Sequence, residues 1–428
     1  MRTKVLKQIQ NLKTFKQSII HWASQSREVV VLDTNNHIQN YGSYDMLVAV
    51  EAFTAIQTDY FNAFDDLQQY QSQTKDWLFG YLSYDLKNDT EQLNSSNFDG
   101  LQFPDLFFFQ PKKLFLIKGN QLEIQYLNYI DDEIDDDFDS INNYDSTFTN
   151  VESKVQINQQ IPKEKYLDKV QKMLDHIHKG NIYEANFCME FFAENANINP
   201  IEVYQKLNAI SEPPFAVFLK NKHYYLLSAS PERYLRKEGE KVISQPIKGT
   251  ARRGFSEEED NLIKKELEQN EKERSENIMI VDLVRNDLSR TAAKGSVEVE
   301  ELCKVYTFKQ VHQMISTITS TISHEISPIE IIKTTFPMGS MTGAPKISAM
   351  QIIEELEETK RGLYSGAVGY FTPDNDFDFN VVIRSILYNN KNEYLSFSVG
   401  SAITAKSIPE KEYEECLLKA KAMFEVLR

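Results

Sequence analysis

Cysteine is scarce in this chain. Cys188, Cys303 and Cys416 are the only three among 428 residues, odd in number, widely separated and without a CxxC spacing. That excludes a disulfide framework and a cysteine zinc site, and fits reduced, mostly buried thiols in a cytoplasmic protein. Long apolar runs are missing too: no stretch of about 18 apolar residues occurs, so no membrane-spanning helix is expected. Positive charge is outweighed, with 47 Lys and Arg against 63 Asp and Glu and a net charge of -16. A general nucleic-acid binder is thereby disfavoured, because phosphate backbones require a basic field. The N-terminus MRTKVLKQIQNLKTFKQ is basic but lacks an apolar core and a small-residue cleavage site, so it does not read as a secretory signal. No internal repeat of fixed period is found.

What is present is ordinary for a globular chain, with 41% hydrophobic and 26% charged residues, and the length allows a sizeable core. Residues 1 to 125 alternate short apolar runs (29–32, 77–84, 106–109) with turn residues, which predicts strands. The stretch DDEIDDDFDSINNYDSTFTN repels itself and is read as an exposed connector over 131–155, between an N-terminal region 1–130 and a larger unit 156–428. A helix is predicted from Pro162 through Tyr166, Val170, Met173, Leu174 and Ile177, followed by a strand over 182–192. One mixed-charge helix is expected over 256–277, strands at 366–371, 377–388 and 394–399, and a closing helix over 409–427. Strands and helices that do not strictly alternate predict an α+β fold with largely antiparallel sheets.

Several groups of residues could carry chemistry. Glu273 and Glu276 are three apart, as are Glu412 and Glu415, so each pair shares a helix face. Two such faces meeting suit a hard divalent cation such as Mg²⁺; each pair alone reads equally as a solvated face. FPMGSMTGAPK (336–346) puts a proline-containing turn before a helix, a site for an anion or simply a helix start; the spacing of a phosphate loop is absent. Lys248, in QPIKGTARRG (245–254), is a nucleophile candidate or a surface lysine at a strand end. Glu232, sixteen residues earlier, reads as a general acid or an ion-pair partner. Arg384, on the strand predicted at 377–388, could bind a carboxylate or pair with a core acid. His312 is a substrate contact or, more commonly, a satisfied core histidine.

Taken together, SPERYL (230–235), PIKGT (246–250), ENIMIVDLVRNDLSR (276–290), FPMGSMTGAPK (336–346), RGLYSGAVGY (361–370), NVVIRSI (380–386) and PEKEYEECLLKA (409–420) resemble the chorismate-utilising enzymes. The similarity is to the synthase subunits of anthranilate and aminodeoxychorismate formation, with looser matches in WLFGYLSYDL (77–86) and FPDLFFFQP (103–111). The resemblance implies an α+β sandwich of two largely antiparallel sheets with outer helices, like that of anthranilate synthase component I. Anthranilate synthases of the family carry alanine at position 248, and aminodeoxychorismate synthases carry lysine. Isochorismate and salicylate synthases instead use a lysine where this chain has Glu184.

The resemblance therefore implies an aminodeoxychorismate synthase activity serving para-aminobenzoate and folate formation. Chorismate would sit on Mg²⁺ held by Glu276 and Glu415, with Glu273 and Glu412 behind them. Backbone amides of Thr342, Gly343 and Ala344 would meet the ring carboxylate, and Arg384 with Tyr364 the enolpyruvyl carboxylate. Thr250, His312, Gly400 and Lys419 complete the implied substrate-binding set. Neutral Lys248, stripped of its proton by burial and the metal, would add to ring C2 while Glu232 protonates the departing C4 hydroxyl. Ammonia would come from a separate glutamine amidotransferase subunit, since Cys188 in NFCMEF matches no nucleophile elbow. Two departures stand out: Glu184 replaces the family's usual glutamine, and Gly400-Ser401-Ala402-Ile403 carries alanine where glycine is common. A tryptophan-binding signature in the N-terminal half is not evident. The competing expectations are anthranilate synthase component I and a non-catalytic chorismate-binding subunit.

Overall fold

The computed structural model describes residues 1–37, 39–91, 93–144, 155–323 and 325–428. Two long strands, Met46–Thr58 and Leu106–Lys118, pair along most of their length and are shared by two antiparallel sheets. From the far half of this pair the first sheet runs outward on both sides. One side adds Gln121–Leu127 and Arg2–Gln8. The other adds Glu28–Asp33, Phe215–Asn221, Tyr224–Ser230, Ser385–Asn389, Tyr394–Thr404 and Glu184–Ala193 in succession. The short strand Gly343–Ala344 lies on the outer edge, against Glu184 and Ala185. From the near half, residues 106–109 pair with Leu78–Leu82, and the second sheet continues through Ala367–Phe371, Phe377–Val381, Arg233–Glu238, Lys241–Gln245 and Val311–Thr321. Ile247–Arg252 and Glu298–Thr307 flank that last strand.

Side-chain alternation sorts the core into layers. Val30, Phe107, Phe109, Val217 and Val368 point between the sheets. Val29, Val31, Phe115 and Phe397 point outward, beneath Lys163–His178 and Pro409–Leu427. Leu106, Phe108 and Phe379 point outward on the other side, beneath Ala63–Thr74 and Glu271–Ser289. The architecture is helix, sheet, sheet, helix, an α+β fold as the pattern of elements required.

Three local expectations are corrected. The acidic stretch forms a 3₁₀ turn, Asn128–Glu133, and a helix, Ile134–Asn142, that buries Ile134 and Ile141. It packs because Lys113 meets Glu133 and Asp137 at 2.6 Å and Tyr126 donates to Asp137, while Asp135, Asp136 and Asp137 sit in the first turn where the helix dipole favours acids. Residues 145–154 of the expected connector lie outside the described residues. The helix expected over 256–277 is two, Glu257–Gln269 and Glu271–Ser289, separated at Asn270, whose side chain caps the second by accepting from Glu273 N. The strand expected over 377–388 breaks after Val381. Arg384 takes a left-handed φ of 53° and its carbonyl accepts from Ala229 N, so it stands on a bend between two strands rather than within one.

One buried cation binds the layers at the site. Arg361 forms a fork with both oxygens of Glu357 and donates to the carbonyls of Met341 and Asn186 at 2.6 and 2.7 Å. It thereby joins the 336–346 turn to the edge of the first sheet. Removing one partner of such a pair leaves an uncompensated buried charge. Arg361→Met is expected to lower stability by about 3–5 kcal/mol, read from urea unfolding; a loss within error would show that Arg361 is not the clamp.

Candidate active site

A cavity of about 500 Å³ opens where the helices of the two outer layers approach one another. Glu273 and Glu276 come from Glu271–Ser289, packed on the second sheet, and Glu412 and Glu415 from Pro409–Leu427, packed on the first; all four line the cavity. Neither helix could form this acidic wall alone.

The wall carries its own cation. Lys272 Nζ lies 3.7 Å from Glu276 Oε1 and 3.7 Å from Glu412 Oε1. Burial works to lower the Lys272 pKa, but the charges of Glu276, Glu412, Glu273 and Glu415 carry it above the ordinary value. Burial pushes the Glu276 carboxyl up to about 7 and raises Glu273 as well. Glu415 goes the other way: burial would raise it, but Lys419, in contact at 2.7 Å, and Lys272 bring it below the usual carboxylate range. Lys419 also donates to the Gly400 carbonyl at 2.8 Å. Ser401 donates to Glu412. An all-oxygen carboxylate set suits a hard divalent cation, and the ammonium standing among it marks a place for positive charge. Among the described residues no three acids are drawn together as a coordination sphere.

Opposite this wall, Lys248 sits within the strand Ile247–Arg252. Its neighbour Gly249 has a φ of 99°, and a Cβ there would come within 3.2 Å of Glu273 Oε2, so glycine lets the strand pass the acid wall. Lys248 Nζ donates to Glu184 Oε1 at 2.8 Å. Burial acts to lower its pKa, yet Glu184, Glu276 and Glu232 together raise it above the ordinary lysine value. These carboxylates thus favour the ammonium form of Lys248, opposing the burial that was expected to strip its proton. Glu232 is 3% exposed, and burial lifts its carboxyl to about 7 against the opposing pull of Ser340, which donates to it at 2.6 Å, and of Lys248. An acid that holds its proton near neutral pH is suited to general-acid work.

Arg384 lines the cavity with Tyr364. Burial lowers the guanidinium pKa, opposed by Tyr364 and Glu415, and among the described residues no carboxylate is paired with it. Such a group can take an anion bidentately. Thr250, Gly400 and Lys419 also line the cavity. His312, Thr342, Gly343 and Ala344 are not among its lining residues. His312 is buried and its ring nitrogens meet Asp260 and Thr307 at 2.9 and 3.0 Å, the satisfied core histidine of its two readings. Residues 343–344 form a short strand against Glu184 and Ala185; the carbonyls of Thr342 and Ala344 accept from Asn186 and Tyr183, and the Thr342 amide donates to the Gly339 carbonyl. Lys272 and Arg361 were missed in the sequence reading. Their signals were a lysine enclosed by Glu271 and Glu273, and the arginine that opens RGLYSGAVGY.

Comparison with known proteins adds four findings. Residues 17–425 match the family described as chorismate binding enzyme. A probable aminodeoxychorismate synthase of Oryza sativa subsp. japonica is 40% identical over 291 residues, 67% of this chain but 32% of that protein. The chain thus spans about a third of that relative's length. Anthranilate synthase component 1 of Thermus thermophilus is 33% identical over 358 residues, 82% of this chain and 77% of that protein. The crystal structure of anthranilate synthase component I from Streptococcus pneumoniae superposes with a TM-score of 0.80 at 23% identity, covering 92% of this chain and 94% of that one, which shows the shared fold.

The Glu232 environment has a measurable consequence. Its pKa rises on folding from 4.5 to about 7, so the folded state holds the extra proton across that window and stability from this residue falls as pH rises through it. Glu232→Gln should remove that slope and gain up to about 3 kcal/mol on wild type between pH 5 and pH 8. Parallel pH profiles in urea unfolding would mean Glu232 is already ionised at neutral pH.

Proposed function

The chain belongs to the chorismate-binding enzymes, and we propose that it is the synthase subunit that converts chorismate and ammonia to 4-amino-4-deoxychorismate, on the route to para-aminobenzoate and folate. The observation that carries this reading is the position of Lys248 at the cavity, facing Glu232 and the acidic wall. A family member that aminates without a lysine adduct has no need of a buried lysine here.

Lys248 adds through Nζ to ring C2 as the C4–O bond breaks. Glu232, protonated near neutral pH and steadied by Ser340, gives its proton to the leaving hydroxyl, which departs as water. Ammonia then bonds to C4 and Lys248 is released as the amine. Arg384, beside Tyr364, holds the enolpyruvyl carboxylate, and Thr250, Gly400 and Lys419 shape the remaining wall. Mg²⁺, when held by Glu276 and Glu415 with Glu273 and Glu412 behind them, supplies positive charge that fixes the ring carboxylate and draws electron density from the ring. The lysine between Glu276 and Glu412 supports that assignment, because the wall already requires a cation.

A separate glutamine amidotransferase is proposed as the ammonia source. Cys188 is buried and its pKa is pushed up by burial, which unfits it as a glutaminase nucleophile. Cys188, Cys303 and Cys416 are all unpaired and buried, which supports a reducing, cytoplasmic setting. Among the described residues no helix is long and apolar enough to cross a membrane.

The likeness to the Thermus thermophilus protein keeps anthranilate formation as the rival. Incubation with chorismate, Mg²⁺ and ammonium should give 4-amino-4-deoxychorismate by mass spectrometry, and para-aminobenzoate once a lyase is added. Anthranilate fluorescence would overturn the assignment. Lys248→Ala should sharply reduce amination, Glu232→Gln should lower kcat by about 10²- to 10⁴-fold, and chelation of Mg²⁺ should stop turnover. Binding of chorismate without turnover, with glutaminase and ammonium supplied, would favour a non-catalytic subunit.

A further inference from the structure

The reaction asks Lys248 to attack as an amine, and the resting site favours its ammonium form. Its surplus proton needs a destination. Among the described residues Glu184 is the carboxylate within ion-pair distance, 2.8 Å from Nζ; Glu276 and Glu232 act across longer gaps, and Glu273 and Glu415 feel the same charge from further away. Glu232 enters the reaction already carrying a proton, and Glu276 faces the acid wall.

Glu184 is 1% exposed, and its second oxygen, Oε2, is buried without a hydrogen-bond partner. A buried carboxylate oxygen left bare costs free energy unless the group gains a proton or a donor. The residue opens the strand Glu184–Ala193, pinned on one side to Thr404 and on the other to Ala344, so its backbone cannot drift from Lys248.

We propose that Glu184 is the positioning residue of Lys248 and the acceptor of its proton. The proposal rests on the lysine-adduct reading above. As Nζ bonds to ring C2, one ammonium proton passes to Glu184, the C4–O bond breaks, and the Glu232 proton leaves with the hydroxyl as water. When ammonia bonds to C4, the C2–N bond breaks with its electron pair returning to Nζ. The surplus proton of the new amine goes to Glu232, and Lys248 recovers its own from Glu184. Both carboxyls are restored, and the sum is chorismate plus ammonia to aminodeoxychorismate plus water. The first transfer is internal to one buried pair and leaves the net charge of the site unchanged. Loss of the proton to solvent would leave Glu184 an unpaired buried anion.

The test compares wild type with Glu184→Gln, Glu184→Asp, Glu184→Ala and Lys248→Ala in ammonium-dependent turnover. Glu184→Gln should lower kcat by about 10²-fold or more with KM for chorismate changed by less than about threefold. Below about pH 7, where Glu232 keeps its proton, its kcat should climb with pH, because the lysine proton must then leave to solvent, whereas wild type stays level over that range. Glu184→Asp should retain the wild-type profile, and formate should restore turnover to Glu184→Ala, which a merely structural role would not allow. Wild-type kcat and profile in Glu184→Gln, or a faster variant, would overturn the proposal while leaving the lysine adduct intact. Amination surviving in Lys248→Ala would instead remove the adduct itself.

Discussion

The arrangement hangs on one electrostatic constraint: carboxylates are crowded around a cavity that is proposed to receive an anionic substrate. Glu276 and Glu232 are both lifted to about 7 by burial, and Glu273 is raised with them. Like charges held this close in a low-dielectric site are tolerable only with cations at hand. Lys272, Lys248 and Lys419 each meet part of the debt, and the pKa of Glu415 goes down where Lys419 and Lys272 reach it. A divalent cation held by these acids would offset the rest.

That crowding exists because the fold puts helices on opposite outer faces of a two-sheet sandwich and lets their ends meet past the sheet edges. Glu271–Ser289 is anchored to the second sheet by Ile280, Val281, Val284 and Leu288, and Pro409–Leu427 to the first by Tyr413, Cys416, Ala420 and Met423. Arg361 fastens the turn that carries Ser340 and Met341 to the first sheet, so the acid Glu232, its hydroxyl donor Ser340 and the cavity floor keep their spacing. The apolar layers thus supply the energy that holds unfavourable charges together.

Much of the fold was legible in sequence because the signals are local. The amphipathic spacing of Tyr166, Val170, Met173 and Leu174 predicts a helix, and Lys163–His178 is one. Where the reading went astray, a distant residue had intervened. Lys113 and Tyr126 gave an acidic run something to pack against, so a stretch that should repel itself became a helix. Ala229 holds the Arg384 carbonyl and bends what reads as one continuous strand. His312 shows the same limit: only Asp260 and Thr307, brought alongside by the fold, decide that it is satisfied.

By itself the sequence determined the kinds of group available: carboxylate pairs on single helix faces, a lysine at position 248 beside a glycine, a glutamate at 184, and the ordered motifs of the family. Tertiary structure alone decided their states. Lys248 and Glu184 are 64 residues apart in the chain and 2.8 Å apart in space, and that contact favours the ammonium form of Lys248. Protonation depends on burial and on the charges within a few ångströms, and neither is written in the spacing of residues along a chain.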